Sequence, residues 1–278
     1  MTTAAAYLER ILKANVYDVA VESPLEEAPR LSARLGNRVL LKREDLQPVF
    51  SFKLRGAHNK LSRLPAAIRA RGVICSSAGN HAQGLALSAR HFGTRAVVVM
   101  PASTPAIKTD AVRALGAEIV LQGAGYDEAY GYAAALARTE NLTFVHPFDD
   151  PEVIAGQGTI AMELFRQHRE PVDAVFVPVG GGGLASGIAL YAKALYPDVR
   201  IIGVEPEESP SMQRSLAAGA PLTLEHVGIF ADGVAVKRVG DETFRICREL
   251  LDDIVLVTTD EICAAIQDIF EECRSIAE

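Results

Sequence analysis

The sequence predicts an α/β protein built on parallel sheets, and three features carry that prediction. Short apolar runs of strand length alternate with segments of helical period along most of the chain, a pattern that covers parallel sheets with helices. A glycine run, Gly180 to Gly183, joins one such strand to one such helix. At 278 residues the chain exceeds what a single hydrophobic core commonly serves, so two domains are expected.

Taken in order, the strand candidates are the apolar runs at 38–42, 73–76, 96–100, 118–121, 174–179, 201–205 and 254–257. The helix candidates between them are 53–64, 80–92, 105–115, 127–139, 154–168, 184–196, 209–218 and 241–251. In the helix after the glycines, Leu184, Ile188, Tyr191 and Leu195 form one apolar stripe expected to face a sheet. The polar, turn-rich stretch 143–151 (TFVHPFDDP) suits a crossing between domains. The expected organisation is a larger domain of residues 1–44 and 145–278 and a smaller inserted one of residues 45–144. From Glu261 onward Ile262, Ile266, Ile269, Phe270, Cys273 and Ile276 describe a helix running to Glu278 with no Gly, Asn or Pro to stop it, so the chain reads as cut inside an element.

Charged residues make up 23% and apolar ones 49%, with 35 acids against 28 bases and a net charge of −7, the balance of an ordinary folded domain. An acidic chain repels phosphate backbones, and no Lys/Arg cluster is interleaved with aromatics, which argues against a nucleic-acid partner. The uncharged stretch 174–192 has the length of a membrane span, but Pro178 and the glycines inside it favour strand, turn and helix, and no membrane partner is expected. Residues 1–16 lack the apolar core of a secretion signal. Cys75, Cys247, Cys263 and Cys273 form no CxxC pair and read as reduced, mostly buried thiols of a cytoplasmic protein.

Glycine lets a backbone approach a ligand closely and take positive φ, so Gly180, Gly181, Gly182 and Gly183 at a helix start read as an anion cradle, a phosphate site. A flexible linker is the plain alternative. A sharper one is dinucleotide binding, because Gly180, Gly182 and Ala185 fit G-x-G-x-x-A and Glu205 ends the next strand. That reading makes the chain an NAD-dependent dehydrogenase. Lys53 stands on the first turn of a helix with Ser51 as candidate N-cap; a helix N-terminus disfavours a cation and favours the neutral amine of Schiff-base chemistry. For an arbitrary lysine, a solvated surface position is the ordinary reading. The stretch Ser76-Ser77-Ala78-Gly79-Asn80-His81 follows a strand and offers a second anion cradle, suited to a carboxylate, or an ordinary turn with Asn80 as cap. His81 is given no catalytic role.

The motifs SFKLRGAHNKL, SSAGNHAQG, VPVGGGGLASG and ADGVAVKRVGDETF, in this order, resemble those of the pyridoxal-phosphate enzymes of the tryptophan synthase β fold (fold type II). Within that family the resemblance is closest to the biosynthetic threonine dehydratases, or threonine ammonia-lyases, and covers nearly the whole chain. It implies pyridoxal 5'-phosphate as cofactor, with Lys53 bonded to its aldehyde and acting as catalytic base and Phe52 beside it. Gly180, Gly181, Gly182, Gly183 and Leu184 would hold the phosphate, Asn80 the 3-oxygen of the ring, and Gly233 would lie in a loop beside the ring. The loop 77–81 (Ser77, Ala78, Gly79, Asn80, His81) would take the substrate carboxylate. The implied reaction converts L-threonine to 2-oxobutanoate and ammonia in isoleucine biosynthesis, with L-serine as a smaller substrate, and relatives suggest a homodimer or tetramer. The glycine fingerprint would then be a decoy.

The sequence departs from the family in two ways. The related enzymes continue beyond residue 278, through the residue that faces the pyridine nitrogen and a regulatory C-terminal domain. The metal-dependent serine racemase type carries acids near the stretch 203–212, where here Glu205 is accompanied by Ser209 and Ser211, so no required divalent ion is expected. A sibling enzyme, a serine racemase or catabolic dehydratase, is the alternative inside the fold.

Overall fold

The computed structural model describes residues 3–277. The chain begins with α1 (Ala4–Leu12), β1 (Leu25–Glu27), α2 (Pro29–Leu35), β2 (Leu40–Lys42), α3 (Lys53–Arg63), α4 (Ala66–Arg69), β3 (Val73–Ser76) and α5 (Asn80–His91). It continues through β4 (Ala96–Met100), α6 (Ala106–Ala114), β5 (Glu118–Leu121), α7 (Tyr126–Thr139), β6 (Thr143–Phe144) and α8 (Pro151–Gln167). The last part holds β7 (Ala174–Pro178), α9 (Gly183–Leu195), β8 (Arg200–Pro206), α10 (Ser211–Ala218), α11 (Asp241–Leu250), β9 (Asp253–Val257) and α12 (Thr259–Cys273). Two compact units result, one of residues up to 12, 22–46 and 158 onward, the other of residues 13–21 and 47–157.

The second unit is built on a parallel sheet in the order β5-β4-β3-β6. Alternate residues of a strand face opposite sides, and both sides are covered. Val73, Cys75, Ala96, Val98 and Met100 pack with Ala82, Leu85, Ala86 and Ala89 of α5. On the other side Ile74, Val97 and Val99 meet Ala129, Ala133 and Ala137, a small-residue stripe along α7. Every residue of β3 and β4 is therefore buried, while those of the edge strands β5 and β6 are not. The loop 145–150 stays in this unit, and the division between the units falls inside α8, after Gln157.

The first unit holds the parallel sheet β7-β8-β9. The helix α9 packs against β7, β8, α1 and α11, so it is buried nearly all round from Gly183 to Ala192. The single stripe read from the sequence is too narrow: Leu195 at its end is exposed, and Leu184 is half-buried. The uncharged stretch 174–192 is strand, glycine turn and helix, as its Pro178 and glycines require. Among the described residues, no helix is long and apolar enough to cross a membrane.

Several elements differ from the sequence reading. The strand expected at 38–42 shortens to β2 and pairs antiparallel with β1, apart from the parallel sheets. The helix α12 does not run on to the end: it starts with a capping box of Thr258 and Glu261 and stops at Arg274, which adopts the left-handed conformation usually left to Gly. From α12, Glu272 accepts hydrogen bonds from the Arg30 and Leu31 N–H groups, both at 3.1 Å, at the start of α2. Cys75 and Cys247 are buried, but Cys263 on α12 is exposed and Cys273 half-buried, so only half of the cysteines match the buried reading.

Candidate active site

Lys53 opens α3 from an unusual cap. Phe52 occupies the N-cap position with helical φ of −62° and ψ of −18°, so Ser51 is not the cap; its hydroxyl instead accepts the Lys53 N–H at 3.3 Å. The Lys53 side chain is half-buried, and its Nζ donates to the Pro147 carbonyl at 3.2 Å and lies 5.4 Å from the centre of the Phe52 ring. Burial lowers the amine to about 8, because dense protein disfavours the charged form. The cause is desolvation rather than the helix dipole invoked from the sequence, but the direction is the same.

The α5 start lies in the same unit. Its cap is Gly79, not Asn80, and no side chain caps it. The Ser77 hydroxyl accepts the Gly79 N–H at 3.2 Å and shapes the turn that follows β3. The first helical bonds run from Ala82 and Gln83 N–H to the Gly79 carbonyl, at 3.1 and 3.4 Å. The first-turn N–H groups thus face out from the helix end, where an anion is stabilised. The His81 ring points inward, with Nε2 3.0 Å from the Val145 carbonyl and Nδ1 buried without a hydrogen-bond partner. Burial, reinforced by the Lys53 charge, lowers its pKa to about 3, so it is neutral. The His81 ring is thus turned into the core, and only its backbone belongs to the open helix start.

Gly84, one turn into α5, fixes how closely this helix meets α3: a Cβ there would stand 2.9 Å from both the nitrogen and Cα of Leu54. Its role was not drawn from the sequence, although it closes the motif SSAGNHAQG. Pro147, the acceptor for the Lys53 amine, was missed as well, because nothing in a turn-rich loop marks one carbonyl as facing a lysine 94 positions away.

In the first unit the glycine run is a constrained loop rather than a linker. A Cβ on Gly180 would lie 3.0 Å from the Cα of Val234, in the 3-10 turn Asp232–Val234 that includes Gly233. Gly182 caps α9 at φ +91°, where a Cβ would also come within 2.7 Å of Met212 Cε. Thr243 of α11 donates its hydroxyl to the Gly181 carbonyl at 2.6 Å and so holds that oxygen away from the helix mouth. The Ser186 N–H bonds to the Gly182 carbonyl at 2.8 Å, and the N–H groups of Gly183, Leu184 and Ala185 precede that bond with no side chain capping them. This is the chemistry a phosphate needs: donors without side chains in front of them at a positive helix end. The loop therefore fits a phosphate-bearing cofactor, and the half-buried amine of Lys53 fits an aldehyde-bearing one.

Glu205 is committed elsewhere. It is fully buried, and its carboxylate accepts the N–H groups of Met212 and Gln213, each at 2.8 Å, at the start of α10. Burial raises its pKa to about 7 against those bonds. A carboxylate capping a helix is not presented to a ribose, so the dinucleotide fingerprint fails at its acidic member.

The chain belongs to the family of pyridoxal-phosphate dependent enzymes, which it matches over residues 17–278. It is 58% identical over 276 residues to the biosynthetic L-threonine dehydratase IlvA of Pasteurella multocida, covering 99% of this chain and 54% of that protein. It is 60% identical over 275 residues to the chloroplastic biosynthetic threonine dehydratase of Arabidopsis thaliana, covering 99% of this chain and 46% of that protein. The processed form of threonine deaminase isoform 2 from Solanum lycopersicum has the same fold, with a TM-score of 0.97 at 52% identity, covering 99% of this chain and 80% of that one. The chain thus spans about half the length of the curated relatives it matches.

Proposed function

We propose that this chain carries the threonine-dehydrating chemistry of its relatives: conversion of L-threonine to 2-oxobutanoate and ammonia, with L-serine giving pyruvate. The observation that carries the reading is Lys53, whose amine is lowered to about 8 at a helix start packed on the helix that opens with Asn80. Pyridoxal phosphate, when bound, supplies the electron sink for a carbanion at the substrate Cα. Lys53, beside Phe52, would hold its aldehyde; Gly180, Gly181, Gly182, Gly183 and Leu184 its phosphate; Asn80 its ring oxygen; and the turn with Gly233 would lie beside the ring.

The remaining steps fall to the protein. With a pKa near 8, about a tenth of the Lys53 amine is neutral at pH 7, against about one part in a few thousand for an ordinary lysine. Once free, Nζ takes the proton from the substrate Cα. The Ser77, Ala78, Gly79, Asn80 and His81 backbone at the start of α5 receives the substrate carboxylate, which orients the Cα–H bond toward the amine. The proton that Nζ takes from Cα balances the one the β-hydroxyl needs to leave as water; the resulting enamine takes up water and loses ammonia, giving the keto acid. We place the activity in the cytoplasm, on the reading of the cysteines as reduced thiols, and in a homo-oligomer, on the strength of the family.

The test is keto-acid formation from L-threonine by the cofactor-supplied chain, with Lys53→Ala as control. Appearance of 2-oxobutanoate that vanishes in the variant supports the reading. D-serine formed from L-serine, without keto acid, would replace it with the racemase.

A further inference from the structure

We propose that Asp18, His58 and His91 form a binding site for a divalent transition-metal ion of the zinc class. The three residues come from separate segments of the second unit: the turn after Val16, the middle of α3 and the last residue of α5. Their donor atoms lie within 4.8 Å of one another, with Asp18 Oδ2 3.3 Å from His58 Nε2 and 3.9 Å from His91 Nε2. A tetrahedral zinc ion with bonds near 2.0–2.1 Å sets its ligands roughly 3.3 Å apart. The Asp18–His58 pair is already at that spacing, and His91, at a helix end and 39% exposed, has only a small shift to make.

The ligands are also held. Val19 and Ala20 N–H groups close the turn onto the Val16 carbonyl at 3.2 and 2.9 Å, and Asn15 Nδ2 pins Asp18 Oδ2 at 2.8 Å. The fully buried His58 ring stacks on Phe92 at 4.9 Å, and the His91 ring meets the same phenyl edge to face at 4.9 Å. Asp18 Oδ2, 3.3 Å away, favours a proton on His58 Nε2, so a metal there displaces that proton and leaves the ring N–H on Nδ1, which is buried without a hydrogen-bond partner among the described residues. Two imidazoles and one carboxylate suit zinc, nickel or copper rather than magnesium or calcium. The partial exposure of Asp18 and His91 gives the ion a way in and leaves a coordination position for water. A bound ion would tie together α3 and α5, the helices that open with Lys53 and Asn80, at points further along each.

The experiment titrates the full chain with Zn²⁺ in competition with a chromophoric chelator, and follows thermal unfolding with and without Zn²⁺. The expected result is a single Zn²⁺ withdrawn from the chelator, with affinity weakened at least about tenfold in His91→Ala and in Asp18→Asn. Zn²⁺ should also raise the melting temperature of the parent chain and not that of the variants. Both substitutions are at partly exposed side chains, and circular dichroism verifies that the variants remain folded. Cys263→Ser is expected to bind as the parent does. A parent chain that takes no Zn²⁺, or variants that hold it as tightly as the parent, would overturn the proposal.

Discussion

Gly84 of α5 faces the backbone of Leu54 so closely that a Cβ would lie 2.9 Å from its nitrogen and Cα, next to Lys53. Neither partner can give way cheaply, since backbone meets backbone rather than the end of a flexible side chain. The missing side chain is thus what lets the helix bearing Asn80 pack at the residue after Lys53. Gly84→Ala is expected to cost about 1–3 kcal/mol in urea unfolding, the usual range for overpacking a well-packed site. It should also weaken the visible absorption of the cofactor-supplied chain, because α3 and α5 must separate where Lys53 begins. A variant with unchanged stability and spectrum would show that the helices part at no cost.

Lys53 gives a prediction whose sign follows from its pKa. The amine titrates near 8 in the folded chain without cofactor, against about 10.5 when free. Between those values the unfolded chain holds a proton that the native one has released, so stability should rise with pH across this window. Below pH 8 both forms are protonated and the native state carries the full cost of a buried ammonium. Lys53→Met removes that cost: at pH 7 it should stabilise the cofactor-free chain by at most about 3 kcal/mol, less because Lys53 keeps some contact with solvent, and flatten the rise above pH 8. Unfolding measured at pH 7, 8 and 10 for both chains checks this; a variant less stable at pH 7 would contradict it.

Much of this was readable from residues alone, and the unreadable part has a physical explanation. The strands 73–76, 96–100 and 118–121 appear at those bounds because they are short apolar runs between helices of clear period. By contrast β1 and β6 have three and two residues, too few to show alternation, and are held by their partners β2 and β3. The glycine run announced an anion cradle, but not that Thr243 would fix its Gly181 carbonyl, a contact between residues 62 positions apart. The fingerprint misled for the same reason: Glu205 lies one residue before the end of β8, close to where the motif expects it, and only the chain's return in α10 shows that the carboxylate caps a helix. The end of α12 was misread because Arg274 stops it in a conformation sequence rules reserve for Gly or Asn.

Gly182 tests the cradle directly. Its φ of +91° disfavours any side chain, and a Cβ would come within 2.7 Å of Met212 Cε and 3.0 Å of Thr243 Cβ. Gly182→Ala should therefore cost about 1–2 kcal/mol from the backbone alone and disturb the Thr243 bond to Gly181. Because the N–H groups of Gly183 and Leu184 follow this residue, affinity for pyridoxal phosphate should fall about tenfold or more, the equivalent of ~1.4 kcal/mol. Cofactor titration by absorbance reads the affinity, and thermal unfolding reads the backbone strain separately.

The sheet β7-β8-β9 presents two unlike faces. Val177 and Ile201 are buried on one side, whereas on the other Phe176 is 64% and Val255 41% exposed, with Val204 half-buried beside them. Register places these apolar residues together, since Phe176 pairs with Ile202, and Val204 joins Pro178 to Val255. A contiguous apolar patch on a sheet face binds amphiphilic dyes and other surfaces, so the chain is expected to enhance the fluorescence of an anilinonaphthalene dye while folded. Phe176→Thr keeps a residue suited to a strand and removes the largest exposed ring. The dye signal should drop by a large fraction while urea stability moves by no more than about 0.5 kcal/mol. If the signal survives intact, the dye is reading the exposed Ile229 and Phe230 loop instead, and Phe230→Ser should then abolish it.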